Sequence, residues 1–338
     1  MPFSPRRLVR RLLTLLALLA AAGGGSAAWY VTTALTMPPA PVEFEIPAGA
    51  GLRATAHVLA RAGVAVHPFA FEMLARSLGR AQAIKAGNYE LTGPTTPTEL
   101  LDKLTRGAVM QAELRIIEGW TFGQLRAALN ESPVLRHDTA SLGDEQILAR
   151  LGAPEKHAEG LFFPDTYLFA RQSSDLAVLR RAYHAMQRHL AEEWAQRADN
   201  VPYKSPYEAL VMASIVEKET GRPDERGLIA GVLVNRLRVR MALQADPTVI
   251  YGLGGEFNGN LKRAHLTADG PYNTYTRPGL PPTPIALPGL ASIRAALRPD
   301  PTKALYYVSR GDGSSEFSSS LQEHNRAVDR YQRHPSRK

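Results

Sequence analysis

Hydrophobic and polar positions follow three different rules along this chain. Residues 12–37 carry no charged side chain and are preceded by Arg6, Arg7, Arg10 and Arg11. About 20 predominantly apolar residues are enough to cross a bilayer, and the arginines would hold their end of such a helix in the cytoplasm. Trp29 and Tyr30 would then sit near the outer interface. The competing reading is a cleaved signal peptide, with an apolar region at residues 12–22 and the small residues Ser26 and Ala28 before the cut. On either reading the bulk of the chain is exported. Residues 38–41 (PPAP) read as a stiff spacer that lifts the next domain off the membrane.

The second rule is alternation broken by short amphipathic runs. VEFEIPAG, from Val42, alternates as a strand does; residues 52–62 predict a short helix stopped by Gly63, residues 67–78 a second, and residues 84–91 a strand. A helix at 98–105, a strand at 111–117 and a helix at 121–129 follow. IPAGAGLRATAHVLARAG and IIEGWTFGQLRAALN share a strand, a glycine turn and a helix, a weak internal repeat.

The third rule combines longer helical periods with long loops. Residues 144–151 form a short helix, and residues 174–198 a long one with Leu176, Leu179, Tyr183, Met186, Leu190 and Trp194 in period. Residues 205–221 (SPYEALVMASIVEKETG) predict a helix with Ser205 as N-cap, Pro206 at its first position and Gly221 as its stop. Ala209 to Val216 leave it no polar face, the mark of a core helix. Another helix spans 223–240. Residues 243–254 and 270–289 read as loops, the latter stiffened by five prolines between Pro278 and Pro288. A helix at 290–297, a hairpin turning at RGDG and a helix at 321–331 close the chain. The fold class is α+β: an N-terminal transmembrane helix, a small βααβ subdomain and a larger α+β subdomain with long loops. The boundaries are a basic tail at 1–11, an anchor at 12–37, the small subdomain at 38–118 and the larger one at 119–338.

Charge narrows the partners. The net charge is +8, but four of those charges precede residue 12, and the rest is spread thinly. That is not the dense basic patch of a nucleic-acid protein, and it suits an anionic wall polymer or membrane surface equally with an ordinary basic protein. No cysteine is present, which excludes disulfides, thiolate zinc sites and cysteine nucleophiles. His184 and His189 do not share a helical face, and no nucleotide, calcium or metalloprotease motif occurs.

What remains is a pair of acids at the end of an apolar helix. Glu217 stands over Leu210, Ala213 and Ser214, whereas Glu219 points toward the Met212 and Ile215 side, so one alone can face a given cleft. Burial raises a carboxyl pKa toward the range of a general acid; the bland alternative is a solvated helix end paired with Lys218, Arg222 or Arg226. EGLFFPDTYLF, residues 159–169, cannot form a regular helix and reads as an irregular aromatic wall, of a carbohydrate cleft or of a core.

EGLFFPDTY, ASIVEKET, LVNRL, LQADPTVIYG, YNTYTRPGLPPTPIALPG and EHNRAV occur in this order across about residues 40–335. The combination resembles the endolytic murein transglycosylase family, also called YceG-like. The resemblance implies a single-pass inner-membrane protein with its catalytic part in the periplasm and a subdomain similar to LysM, a glycan-binding module; a plain α+β adaptor would share that element order. It implies internal cleavage of nascent peptidoglycan strands between N-acetylmuramic acid and N-acetylglucosamine without water, leaving 1,6-anhydro ends and limiting strand length. Its catalytic glutamate corresponds to Glu217, with Gln244, Asp246, Tyr272, Asn273 and Tyr275 binding sugar and Glu159 and Asp165 as further candidates. Glu219 and Asp246 are candidate supporting groups. No cofactor, metal or nucleic acid is implied; the partners are glycan strands, the inner membrane and peptidoglycan synthases. Two other classes stay open: a hydrolase pairing Glu217 with a second carboxylate such as Asp246, and a non-catalytic wall-binding scaffold.

Overall fold

The computed structural model describes residues 5–39, 41–47, 49–108 and 111–333. The first four residues of the basic tail, the side chains of its arginines, Ala40 of the expected spacer and residues 334–338 lie outside the described part. The chain divides into two compact units, residues 1–112 with 169–171, and residues 113–168 with 172–338.

The first unit begins with α1 (Pro5–Thr32) and continues through β1 (Val42–Ile46), α2 (Leu52–Arg61), α3 (Pro68–Ser77), β2 (Gly87–Leu91) and α4 (Pro97–Arg106). β1 and β2 pair antiparallel with Phe44 opposite Tyr89, and the two rings stack at 5.8 Å. Each strand turns alternate residues inward, so Phe44, Ile46, Tyr89 and Leu91 meet Leu59, Phe71, Leu100, Leu101 and Leu104 in one core. Each such large side chain contributes about 2 kcal/mol on burial. Tyr89 stays satisfied there by donating to the Lys85 and Leu104 carbonyls. The unit's α4 starts with a reciprocal cap between Thr96 and Glu99 and ends at Gly107 in the left-handed conformation. The chain leading into the expected spacer is instead built into this unit. Leu35 belongs to the core, its N–H donates to the Thr95 carbonyl, and the Ala65 N–H donates to Thr36. Proline content predicts stiffness and says nothing of tertiary contacts, so the sequence could not separate a spacer from a docked segment.

The division falls within β3 (Gln111–Arg115) and β5 (Thr166–Ala170), and the second unit further holds α5 (Phe122–Glu131), β4 (Leu135–Arg136), α6 (Asp144–Leu151), β6 (Ser173–Ser174) and α7 (Asp175–Ala195). Then come α8 (Pro206–Glu219), α9 (Arg226–Arg238), α10 (Asp246–Leu253), α11 (Arg263–Thr267), α12 (Leu290–Leu297), β7 (Tyr306–Ser309), β8 (Ser315–Ser318) and α13 (Leu321–Val328). The strands form only two-stranded pairs, β3 with β5, β4 with β6 and the β7–β8 hairpin; the unit is a helical core with strand clips.

α8 is its centre. Residues Ala209 to Val216 are all buried, against α7, α9, α10 and α12. Ser205 caps the start by accepting from the Glu208 N–H. The stop differs from expectation: Thr220 is extended, its hydroxyl accepts from the Arg222 N–H, and Gly221 is not left-handed. Two other expectations change. Residues 246–253 are helical rather than loop, because Pro247 fits a first helical turn where its missing N–H costs nothing. Within EGLFFPDTYLF, residues 166–169 enter β5, while Leu161, Phe162 and Phe163 are buried, with Phe162 stacked on Phe122 at 4.9 Å. That wall is core.

Candidate active site

The last turn of α8 sends Glu217, Lys218 and Glu219 in three directions about 100° apart. Lys218 donates to the Gly119 carbonyl at 3.2 Å and faces a cleft of about 820 Å³. Glu217 and Glu219 enter opposite surroundings.

Glu217 is tied down. Its Oε2 accepts from the Gly289 N–H at 2.9 Å and from the Ser292 hydroxyl at 2.7 Å, while Arg226 stands 3.9 Å from Oε1. Its side chain is 7 % exposed. A second carboxyl, Glu118, packs into the space where a Cβ on Gly289 would lie. Although much of Glu118 is exposed, its pKa is raised, first by partial desolvation and then by the charge of Glu217, with Arg226 opposing.

Glu219 is left open. It lines a polar pocket of about 350 Å³ with Arg236, Gln244, Asp246, Tyr275, Tyr307 and His324. Its Oε1 is buried and accepts no hydrogen bond. Desolvation pushes its pKa up to about 7, the charge of Asp246 adds to the rise, and a hydrogen bond from Tyr307 and the charge of Arg236 oppose it. Arg236 is held from behind, donating to the Leu305 carbonyl at 2.6 Å and the Leu243 carbonyl at 2.7 Å. His324 stacks on Tyr306 at 5.1 Å, and its Nδ1 is also without a partner; burial and the nearby Arg236 lower its pKa, favouring the neutral ring.

Two loops build the pocket's far side. The Thr274 hydroxyl accepts from the Ala245 N–H at 3.0 Å, and its carbonyl accepts from the Gln244 N–H at 3.0 Å, clasping the LQADPT and YNTY segments together. Gln244 sits at φ 51°, a conformation costly for a side-chain-bearing residue and held by that clasp. Tyr275 donates to Asp246. Asn273 does not line the pocket: its amide donates to the His265, Leu266 and Ala268 carbonyls and its oxygen accepts from the Tyr275 N–H, which shapes the loop.

The remaining expected residues lie elsewhere. Glu159 and Tyr272 line the 820 Å³ cleft beside Thr121, Gln124 and Tyr251. Glu159 accepts from the Phe122 N–H at 2.9 Å and from Tyr251 at 3.1 Å, and desolvation pushes its pKa up to about 7 against those bonds. Tyr272 meets Tyr251 edge-on at 4.9 Å and exchanges a hydrogen bond with Thr283 at 2.8 Å. Asp165 is exposed, lines neither cavity and caps the Thr166 N–H. So Gln244, Asp246 and Tyr275 gather around Glu219, Glu159 and Tyr272 form a second cleft, and Glu217, Asn273 and Asp165 line neither. Sequence reasoning missed Arg236, Tyr307, His324 and Glu118. The local signals were the LVNRL motif, which holds Arg236, and the EHNRAV motif, which holds His324.

Among the described residues no cluster of His, Asp and Glu could hold a metal ion. Comparison with known proteins agrees with the family resemblance. The profile of the YceG-like family matches residues 44–330. A protein of Bacillus subtilis named endolytic murein transglycosylase is 32 % identical over 307 residues, covering 86 % of this chain and 84 % of the relative. One of the same name from Streptococcus pneumoniae is 28 % identical over 318 residues, covering 84 % of this chain and 57 % of the relative. A crystal structure of a yceG-like protein from Listeria monocytogenes is 30 % identical, with a TM-score of 0.55, covering 86 % of this chain and 99 % of that one. The chain belongs to the YceG-like family.

Proposed function

We propose that this protein is an endolytic lytic transglycosylase that cuts peptidoglycan glycan strands internally, between N-acetylmuramic acid and N-acetylglucosamine. The relatives named for this activity support the reaction class. The observation that carries the chemistry is the buried, unpartnered Oε1 of Glu219 in a polar pocket. An acid titrating near 7 is protonated in a large fraction of molecules at neutral pH and can still act as a base once the proton has left.

A single acid closes the cycle. Glu219 gives its proton to the glycosidic oxygen as the bond to the muramic acid anomeric carbon breaks. The resulting carboxylate takes the proton of that sugar's 6-hydroxyl, whose oxygen bonds to the anomeric carbon, giving a 1,6-anhydro end and restoring the acid. No water is consumed, and the attack is intramolecular. Gln244, Tyr275 and Tyr307 offer hydrogen bonds to sugar hydroxyls and amides, and Asp246 keeps the proton on Glu219 by repulsion.

The motif resemblance gives the acid role to Glu217 instead, and that is the second reading. Against it stand two donors and an arginine already engaging its carboxylate. Cleavage by Glu217→Gln and Glu219→Gln decides. Removing a general acid lowers turnover by about a thousandfold, and we expect that loss in Glu219→Gln, with Glu217→Gln within about tenfold of wild type by the same scale. The reverse pattern would return the role to Glu217.

The wider reading follows the same lines. α1 is a single-pass inner-membrane anchor through residues 13–32, supported by one apolar helix of sufficient length, with the second unit in the periplasm. The βααβ order of the first unit supports a LysM-like glycan-binding role, although Phe44 and Tyr89 are in its core, where they are not free to stack on a sugar. Peptidoglycan synthases are the proposed partners and control of strand length the proposed outcome.

A further inference from the structure

We propose that Trp29 and the exposed side chains Phe69 and Met73 of α3 lie in the headgroup layer of the bilayer that α1 crosses. The inference rests on reading α1 as a span and adds an interaction surface that such a reading does not itself require.

The apolar stretch Leu13–Thr32 is 20 residues long, and its described side chains from Leu13 to Trp29 are exposed. At 1.5 Å per residue it is about 30 Å long, the thickness of the hydrocarbon core. Little length is spare, so the outer boundary of the hydrocarbon falls near its C-terminal end. Trp29 is there, 68 % exposed, a residue type favoured at that depth because its ring is apolar and its N–H polar.

No free linker separates this end from the folded unit. The Thr98 hydroxyl donates to the Val31 carbonyl at 3.0 Å, the Leu35 N–H donates to Thr95 at 2.9 Å, and the Ala65 N–H donates to Thr36 at 2.7 Å. The Tyr30 hydroxyl lies against the backbone of His67 without forming a well-aligned hydrogen bond. His67 is the N-cap of α3. The start of α3 is therefore fixed beside the outer end of the span, at the depth where hydrocarbon gives way to headgroups.

On α3 the two faces divide cleanly. Phe71 and Ala75 are fully buried, whereas Phe69 and Met73, four residues apart and hence on one face, are 69 % and 51 % exposed. The core of the unit uses neither Phe69 nor Met73. Presented to the interfacial layer, both lose contact with water, and the occupant is set by continuity with the span. The first unit would then rest on the membrane surface.

The chain has no cysteine, so single nitroxide labels can be placed on the full-length protein in lipid vesicles. Labels at Leu18→Cys, Phe69→Cys and Met73→Cys are read for collision with oxygen, which favours lipid, and with a water-soluble nickel chelate, calibrated by lipids labelled at known depths. The expected result is a deep Leu18 label together with loss of nickel access at Phe69 and Met73, at headgroup depth. A deep Leu18 label with full nickel access at both α3 positions would overturn the proposal and leave the span intact. Nickel access at Leu18 would overturn the span and the proposal together. Dipolar broadening between α3 labels of two copies would assign the face to self-association and overturn it as well.

Discussion

Two carboxylates separated by a single lysine occupy opposite kinds of surroundings. Glu217 accepts from Gly289 and Ser292 and has Arg226 nearby; Glu219 faces a polar cavity with one oxygen unpartnered. The difference teaches what a helix end can do with an acid. Where donors converge on it, the acid ties α8 to the start of α12 and to α9. Where desolvation acts without enough donors, the same side chain stores a proton near neutral pH. Helical geometry alone produces the split, since residues two apart point about 200° apart.

The comparison can be broken through stability, where replacing each acid by glutamine should have different consequences. The pKa of Glu219 in the folded state is about 7, against an ordinary 4.5. Its contribution to stability is therefore complete below about pH 4.5 and is lost as pH rises toward 7. At about 1.4 kcal/mol per unit the full loss is about 3 to 4 kcal/mol. Glu219→Gln should accordingly become more stable than wild type at pH 8, relative to pH 4, in denaturant titrations at both pH values. Equal pH dependence of the two proteins would contradict the burial of that charge.

Glu217→Gln should destabilise at neutral pH by about 2 kcal/mol, because it weakens charge-assisted hydrogen bonds and leaves Arg226 without its partner. A midpoint unchanged in urea would remove the tying role. Ser292→Ala takes away one of the two donors and should cost about 1 kcal/mol, with turnover preserved; a large loss of cleavage with normal folding would mean that Glu217 takes part in the chemistry. The smallest effect belongs to Asp246→Asn. Its charge raises the Glu219 pKa, so the fall of kcat on the alkaline side should begin at lower pH in this variant, while a limb that stays in place would separate Asp246 from Glu219.

Local patterns carried much of the architecture. The apolar run of α8, its Ser205 cap and the alternating strands around Phe44 and Tyr89 were legible because each is decided within a few residues. α10 was obscured by a proline and glycine composition that suits a loop equally well. The aromatics of residues 161–163 read equally as wall or core, since only packing distinguishes them. The Glu219 pocket was the least legible part. Tyr307 and His324 come from about 90 and 105 residues further along the chain, and no spacing rule joins them to α8. The sequence pointed to two acids, and the choice between them depends on donors supplied from Gly289 and Ser292.

The central claim, cleavage by one acid without water, is tested most directly by mass spectrometry of the products that the full-length protein forms from purified glycan strands. Internal fragments ending in 1,6-anhydro sugar, made by wild type and lost with Glu219→Gln, are the predicted result. Fragments heavier by one water would contradict the account, because they require a second group to activate water and make the protein a hydrolase.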